Sequence, residues 1–368
     1  MNTKQIRSLC MGLVIGFWLV LALTAWFKPS DDRSLSERRP LTQLPELQSE
    51  TILNGSFMKD FESYTLDQFP LRDGFRTVKS LVHLYGLGQK DNNDIYLADG
   101  YAAKLEYPVD TDSVDYAANR FSYLYDKLLK PAGCKAYLTV VPDKGYYLAE
   151  ENGYPVMDYS GMFAQMQSQM SWAEYVDITD CLELEDYYRT DTHWRQENLL
   201  EAAGKIAEAM GNEKPMAEEY SLCTLSQPFY GVYYGQAALP MDPETLCYLD
   251  NEQLSACRVY DYESGKYGSV YDMSKADGDD LYEFFLSGSR SLLTIENPNG
   301  NSDRELIIFR DSFGSSIAPL LLGDYGKVTL VDIRYIQVDV LDRFLTFDGQ
   351  DVLFLYSTLV LNNSSTIK

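Results

Sequence analysis

Two histidines, His83 and His193, are the only imidazoles in this chain of 368 residues. His193 follows Asp191 by two residues. Histidine has the unperturbed pKa nearest to neutrality, and a nearby aspartate can fix its tautomer and stabilise its charged form. Asp191 and His193 are therefore candidates for an orienting carboxylate and a general base. The same stretch also suits a helix N-terminus, with Thr192 or Asp191 as the cap.

A serine near the end of an apolar run supplies a candidate nucleophile. Residues 305–309 predict a buried strand, Ser312 follows it, and residues 315–322 predict a short helix. In open α/β sheets, ligands bind at the carboxyl ends of the strands, and serine nucleophiles lie at such strand-to-helix turns. The backbone amides of residues 312–314 are the expected donors to an oxyanion. The alternative is that Asp311 or Ser312 only caps the helix.

The elements that must position these side chains alternate between strand and helix patterns. Short β-rich runs predict strands at 136–141, 175–178, 291–295, 305–309, 327–333 and 351–356, with helices at 117–129, 161–170, 196–210 and 339–345. Such alternation predicts a mainly parallel sheet covered on both faces. Residues 212–290 differ, because they are rich in Tyr, Gly and Asp. We predict an antiparallel excursion there, with hairpins at 231–236 and 258–271.

The N-terminal part predicts membrane attachment. Leu9–Phe27 is an uncharged run of 19 residues, long enough to span a bilayer. We interpret residues 1–28 as an uncleaved anchor with the rest of the chain outside, a cleaved signal peptide being the alternative. Residues 29–90 are expected to form an extended, proline-containing stalk and then two helices, at 54–69 and 75–84. His83 lies in the second helix and is expected to be a packing or surface residue. Residues 91–368 form the predicted main domain, with the insertion at about 212–290.

Charge and composition restrict the partners. The chain has 55 acidic and 31 basic residues, a net charge of −24, which disfavours nucleic acid and anionic membrane surfaces as partners of the folded part. We expect no nucleic acid partner and membrane contact through the N-terminal helix only. The 29 tyrosines offer flat faces with hydroxyls that suit sugar rings.

The six cysteines do not have zinc spacing, and no glycine-rich phosphate loop is present, so neither a metal nor a cofactor is expected. Cys134 begins an apolar run and is expected to be a buried thiol. The sequence leaves open a pairing of Cys247 with Cys257, or of Cys223 with either.

Two runs, Asp191–Trp194 and Asp311–Gly314, resemble motifs of the SGNH-hydrolase-like proteins of the alginate acetylation group, and especially of the DHHW family. Supporting pieces follow in the family's order along the chain, at 67–72, 141–144, 188–190 and 331–335. The resemblance covers roughly residues 40 to 360. Two positions depart from the family pattern. Thr192 replaces the first histidine of the DHHW signature, and Arg310 replaces the glycine that usually precedes Asp-Ser.

The resemblance implies an SGNH-like three-layer α/β/α fold and a Ser-His-Asp triad. By motif, Ser312 would be the nucleophile, His193 the general base and Asp191 the residue that orients it. The best-understood relatives O-acetylate exopolysaccharides outside the cytoplasmic membrane, and they receive acetyl groups through a membrane-bound O-acyltransferase. That implies a cell-surface polysaccharide as substrate and such an acyltransferase as the acetyl source.

Motifs and resemblance together predict an extracytoplasmic, membrane-anchored serine acyltransferase that O-acetylates a cell-surface or exported polysaccharide through an acetyl-serine. A carbohydrate acetyl-esterase with the same triad is one alternative, and a non-catalytic, membrane-tethered binding or assembly protein is another. Lys144, Arg334 and Tyr335 follow strand ends and are predicted to line the pocket. Arg310 and Tyr188 complete the candidate substrate-binding residues.

Overall fold

The computed structural model describes residues 3–368. The chain divides into two compact units. Unit 1 comprises the chain up to Asn92 together with Gly235–Pro240, and unit 2 comprises Asn93–Tyr234 and Met241–Lys368.

Unit 1 is mainly helical. Its elements are α1 (Thr3–Phe27), the two-residue strands β1 (Arg33–Ser34) and β2 (Arg39–Pro40), α2 (Ser49–Leu53), α3 (Ser56–Asp67), α4 (Arg72–Leu81) and a π-helical turn at Val82–Gly86. Helix α1 is long and apolar enough to cross a membrane. A signal sequence near the N-terminus can be similarly long and apolar. Helix α3 and the pair of α4 with its π-helical turn match the two helices expected at 54–69 and 75–84.

The segment expected to be an extended stalk is held by side chains from the end of α3. The Gln68 side-chain oxygen accepts from the Asp31 amide at 2.8 Å, and its nitrogen donates to the Asp31 carbonyl at 2.9 Å. Arg39 donates both terminal nitrogens to Asp67, at 2.9 and 2.6 Å. Thr42 donates its amide and its hydroxyl to the same carboxylate, both at 2.9 Å. These bonds satisfy buried polar groups that would otherwise be costly to remove from water.

Unit 2 has twelve strands, eight of which form one large sheet. Its strands in chain order are β3 (Ile95–Ala98), β4 (Tyr101–Lys104), β5 (Lys135–Val141), β6 (Glu174–Tyr175), β7 (Ser221–Phe229), β8 (Glu244–Asp250), β9 (Arg258–Asp261), β10 (Lys266–Gly268), β11 (Leu292–Glu296), β12 (Asn301–Arg310), β13 (Tyr325–Val331) and β14 (Asp351–Ser357). The helices are α5 (Thr111–Leu124), α6 (Gly145–Leu148), α7 (Tyr159–Gln169), α8 (Leu200–Ala209), α9 (Val232–Ala237, which crosses the boundary between the units), α10 (Glu252–Ala256), α11 (Gly314–Ile317) and α12 (Thr358–Asn362).

The order of the large sheet is β10-β9-β11-β13-β12-β14-β5-β6. Strands from β13 to β6 run parallel, as expected. On the other side of β13 the pairing is antiparallel at each step, from β13 to β11, from β11 to β9 and from β9 to β10. Because the parallel strands share a direction, the chain segments that leave β12, β14 and β5 emerge at the same edge of the sheet. Ser312 follows β12, so the nucleophile candidate lies at that edge.

Strand β12 shows why the sequences of the central parallel strands are so apolar. Leu306 and Ile308 pack into one buried cluster, whereas Ile307 and Phe309 pack into another. Successive side chains of a strand point to opposite faces of the sheet, and a strand covered on both faces needs a continuous apolar run. This burial holds the end of β12 rigidly, and Ser312 follows that end.

Several local expectations were wrong. Residues 232–237 form a helix, not a hairpin, and the helix expected from 196 is a short 3-10 turn at Gln196–Asn198 before α8. The helix expected at 339–345 is a 3-10 helix at Val338–Arg343. The hairpin expected at 258–271 is present as β9 and β10, but it extends the main sheet. All six cysteines are unpaired, so none of the pairings left open is made.

Candidate active site

The side chains of Ser312, His193 and Asp191 form one hydrogen-bonded chain. The Ser312 Oγ lies 2.7 Å from His193 Nε2, and His193 Nδ1 lies 2.6 Å from Asp191 Oδ1. The Asp191 side chain is buried, and that of His193 is 12% exposed. A carboxylate at Nδ1 favours the tautomer in which Nδ1 carries the proton, which leaves Nε2 to accept from the serine hydroxyl.

The turn that carries Ser312 is fixed by Asp311, which is fully buried. One of its carboxylate oxygens accepts from the Phe313 amide at 3.0 Å. The other accepts from the amide and hydroxyl of Ser357 at the end of β14, at 2.8 and 2.7 Å. The Gly314 amide donates to the Asp311 carbonyl at 3.2 Å. Of the three amides expected to serve an oxyanion, those of Phe313 and Gly314 are therefore engaged within the turn.

His193 lies in a hairpin-like loop, not at a helix N-terminus as the alternative interpretation had it. Tyr187 and Trp194 form an isolated antiparallel bridge, and the Tyr188 amide donates to the His193 carbonyl at 3.1 Å. Asp191 accepts from the His193 amide at 3.1 Å, so the aspartate orders both the backbone and the imidazole. This Asx-type turn presents the histidine toward the serine.

The imidazole is also held by aromatic packing. The ring of Tyr282 stacks on His193 with centroids 3.8 Å apart and planes 7° apart. The Tyr282 hydroxyl lies 2.8 Å from Ser316 Oγ, which also accepts from the indole N–H of Trp194 at 2.9 Å. The aromatic pair therefore fixes the plane in which His193 can reach Ser312.

Sequence reasoning missed Glu244, a buried carboxylate at the start of β8. It accepts from the amides of Arg189 and Thr190, both at 2.9 Å. It also accepts from the Thr190 hydroxyl at 2.9 Å and from Arg195 at 2.7 Å. Four donors on one loop thus converge on one side chain. Nothing in the local sequence marks Glu244, because its partners lie about 50 residues away in the chain.

The segment Gly231–Tyr234 covers the other side of the same loop. The Val232 amide donates to Asp191 Oδ2 at 2.8 Å, and the Gly231 amide donates to Thr190 Oγ1 at 2.9 Å. A Cβ on Gly231 would lie 2.3 Å from the Asp191 Cα, so only glycine permits this approach. Thr192, which replaces a family histidine, accepts from the Tyr233 hydroxyl at 3.0 Å.

Lys144, expected near the pocket, is buried beneath the loop of residues 187–195 that carries Asp191 and His193, which we call the histidine loop. Its amine donates to the Tyr188 carbonyl at 2.8 Å and the Arg189 carbonyl at 3.3 Å. Burial lowers the pKa of the Lys144 amine to about 7, although Asp191 and Glu244 act in the opposite direction. The side chain thus supports the loop from below.

Arg310 is buried and reaches around the nucleophile turn. It donates to Ser315 Oγ at 3.0 Å and to the Asp311 carbonyl at 3.2 Å. A Cβ on Gly314 would lie 2.7 Å from the Arg310 Cβ, which explains the glycine there. Burial lowers the pKa of the Arg310 guanidinium, opposed by the nearby Asp332.

The remaining predicted binding residues lie in different environments. Arg334 donates to both carboxylate oxygens of Asp332, at 2.9 and 2.6 Å. Tyr335 is 52% exposed. Tyr188 is fully buried, with the Arg195 guanidinium 4.8 Å from its ring centroid. Its buried hydroxyl has no hydrogen-bond partner among residues 3–368.

Comparison with known proteins places this fold. No family model and no curated protein matches the chain. Among solved structures, a DHHW family protein from Eubacterium siraeum superposes with a TM-score of 0.60 at 24% identity, covering 75% of this chain and 95% of that one. Bacillus cereus PatB1 with a sulfonyl adduct superposes with a TM-score of 0.58 at 16% identity, covering 73% of this chain and 95% of PatB1. The O-acetyltransferase domain of Pseudomonas putida AlgJ superposes with a TM-score of 0.44 at 14% identity, covering 73% of this chain and 92% of that domain.

The third likeness is weak, and the fold assignment rests on the first two. Both neighbours are spanned almost completely by this chain. The resemblance drawn from the two short motifs therefore extends to the architecture that carries them: the chain has the fold of the DHHW family protein and of PatB1.

Proposed function

We propose that this protein is an extracytoplasmic, membrane-anchored serine acyltransferase that O-acetylates a cell-surface or exported polysaccharide. The observation that carries the proposal is the chain of hydrogen bonds from Ser312 through His193 to Asp191, at 2.7 and 2.6 Å. The motif resemblance is the reason for proposing acetyl as the transferred group and a glycan as its acceptor. We also infer the three-layer SGNH arrangement, since alternate residues of β12 pack into two separate core clusters.

The first half-reaction makes an acetyl-serine. Ser312 Oγ attacks the carbonyl carbon of an acetyl ester or thioester while its proton moves to His193 Nε2. The tetrahedral intermediate collapses, the bond from carbon to the leaving group breaks, and His193 returns the proton to the leaving group. Asp191 stabilises the imidazolium that exists between these two transfers.

The second half-reaction reverses the roles. A sugar hydroxyl attacks the acetyl carbon and gives its proton to His193. The bond from carbon to Ser312 Oγ breaks, and the serine oxygen takes the proton back. Water in place of the sugar would give hydrolysis, so transfer requires that the acceptor fill the site and exclude water. In this proposal the acetyl donor is delivered by a membrane-bound O-acyltransferase.

Covalent labelling tests the nucleophile. Detergent-purified protein is treated with a sulfonyl fluoride, and the adduct is located by intact mass and peptide mapping. We expect one adduct on Ser312 that is lost in Ser312→Ala and strongly slowed in His193→Ala. Folded protein that does not label, or that labels equally in Ser312→Ala, would contradict a catalytic role and favour a binding or assembly protein.

A partition experiment separates transferase from esterase. A chromogenic acetyl ester is the donor, and acetylated glycan and free acetate are measured with and without oligosaccharides. An acetyltransferase yields acetylated oligosaccharide at the expense of acetate. Acetate release that no tested glycan alters would indicate the esterase.

A further inference from the structure

Helix α4 turns its polar side toward the rest of unit 1. Arg72 pairs with Glu37 at 2.5 Å, and Arg76 pairs with the same carboxylate at 3.3 Å and donates to the Gly235 carbonyl at 2.6 Å. Ser80 is fully buried and accepts from the Asn92 amide nitrogen at 2.7 Å. The inward face of this helix is therefore built from two ion-paired arginines and a serine.

The opposite side of the helix is apolar and exposed. Leu71, Phe75, Val78 and Val82 are 74%, 40%, 56% and 49% exposed, respectively. Phe75, Val78 and Val82 are spaced three and four residues apart and lie on one side of α4 and of the π-helical turn that continues it, and Leu71 is the left-handed residue that caps the start of α4. We call these four residues the α4 stripe. Exposed apolar stripes of this kind mark surfaces that meet another apolar phase or molecule.

The start of α4 is held close to the end of α1. Gln68, at the end of α3, bonds to both the amide and the carbonyl of Asp31. Asp31 lies four residues after the last residue of α1, and Leu71 lies three residues after Gln68. At the exit of α1, Trp26 and Phe27 are both exposed, and Trp is enriched where helices leave a bilayer.

The charge of this part of the chain fits a lipid surface. Residues 1–92 carry 11 basic and 10 acidic side chains, whereas the rest of the chain carries 20 basic and 45 acidic side chains. An anionic bilayer would repel unit 2 but not unit 1. The observations therefore favour lipid over an acidic or basic protein as the phase that covers the α4 stripe.

We propose that the α4 stripe lies in the bilayer interface beside α1, with Leu71, Phe75, Val78 and Val82 buried among headgroups and upper acyl chains. This proposal rests on the membrane anchoring that is part of the proposed function. Unit 1 then contacts the membrane through an interfacial helix as well as through α1. The proposal therefore differs from the expectation of membrane contact through the N-terminal helix only.

Photocrosslinking in the full-length chain tests the proposal. The photoreactive residue p-benzoylphenylalanine replaces Val78 in protein reconstituted into mixed phosphatidylcholine and phosphatidylglycerol vesicles. The same residue in place of Val14 in α1, which is also 56% exposed, reports on insertion of the anchor. In place of Met273 in unit 2, 63% exposed, it is a matched control. Adducts are identified by mass spectrometry and by gel mobility.

We expect lipid adducts at Val14 and Val78, several-fold above the Met273 level. Lipid adducts at Val14 with only the Met273 level at Val78 would overturn the interfacial helix and leave the anchor standing. A dimer crosslinked through Val78 would also overturn it, in favour of a second copy. Absence of lipid adducts at Val14 would remove the anchoring itself, and with it this inference. Serine labelling at Ser312 is independent of all these outcomes.

Discussion

The two units of this chain place charge and apolar surface in opposite ways. Unit 2 buries most of its aromatic and aliphatic side chains, and the chain after residue 92 carries 45 acidic and 20 basic residues. Unit 1 is almost neutral, and its helix α4 exposes an apolar stripe while its arginines point inward. Arg72 and Arg76 are only partly exposed, and Glu37 offsets the cost of withdrawing their charges from water.

The contrast also separates the two histidines. His193 lies in unit 2, with a carboxylate on one ring nitrogen and a serine on the other. His83 lies in the π-helical turn of unit 1. If catalysis belongs to unit 2 and membrane contact to unit 1, then substitutions in each unit should affect only one of these properties.

The largest expected effect comes from the nucleophile and base. Ser312→Ala and His193→Ala should each lower turnover of a soluble acetyl ester by about 10³-fold or more, since triad members act as a unit. His83→Ala is the matched control and should leave turnover unchanged. An equal loss of turnover in His83→Ala and His193→Ala would contradict the assignment of catalysis to unit 2 alone. Initial rates at saturating ester are the measurement.

A smaller effect is expected from Glu244→Gln. The amide retains one acceptor oxygen but turns an NH₂ toward backbone donors, and a buried unsatisfied group costs about 1–3 kcal/mol. The melting temperature should fall and ester turnover should slow, because the loop bearing Asp191 and His193 loosens. The exposed Glu213→Gln is the control. Unchanged stability in Glu244→Gln would show that the four hydrogen bonds are not what holds the loop.

Lys144 should make the stability of unit 2 depend on pH. Its folded pKa of about 7 lies below the unfolded value of about 10.4, so between these values the unfolded chain binds more protons. Stability therefore rises with pH in that window, by up to about 1.4 kcal/mol per pH unit for one group. In Lys144→Met this contribution should disappear. Melting temperatures of both proteins across that pH range are the test, and parallel curves would refute it.

The smallest expected effect lies in unit 1. Hydrogen bonds from the Arg39 guanidinium hold the pKa of Asp67 well below its usual range. This contribution is present above the unfolded pKa near 4 and is lost as the pH falls below it. Because Arg39 is partly exposed, Asp67→Asn should cost about 1 kcal/mol at neutral pH. Asp60→Asn, on the exposed side of α3, should cost nothing, and ester turnover should be unchanged in both.

Much of unit 2 could be predicted from sequence. The apolar runs at β5, β12, β13 and β14 predicted their strands because a strand buried on both faces needs uninterrupted hydrophobic residues. Ser312 was found because it follows the β12 run, and Asp191 and His193 were found because an aspartate stands two residues before one of only two histidines. Their residue types suit acyl transfer, and the structure brings their atoms within hydrogen-bond distance.

Contacts between distant segments could not be predicted. The partner of a strand depends on the whole sheet, so β11 was expected as a strand without its antiparallel place between β13 and β9. Glu244 supports the histidine loop through contacts that no local pattern marks. In α4, the helical period predicted a helix correctly, but the local pattern does not show that its apolar residues are the exposed ones.

The stacking of His193 on Tyr282 gives the protein a spectroscopic reporter. Protons above the face of an aromatic ring experience its ring current, so the imidazole carbon-bound protons of His193 should resonate upfield of those of His83. With only two histidines in the chain, selective isotope labelling would yield two pairs of signals. The shifted pair would then report directly on the base of the candidate site, in the free protein and through each acylation step.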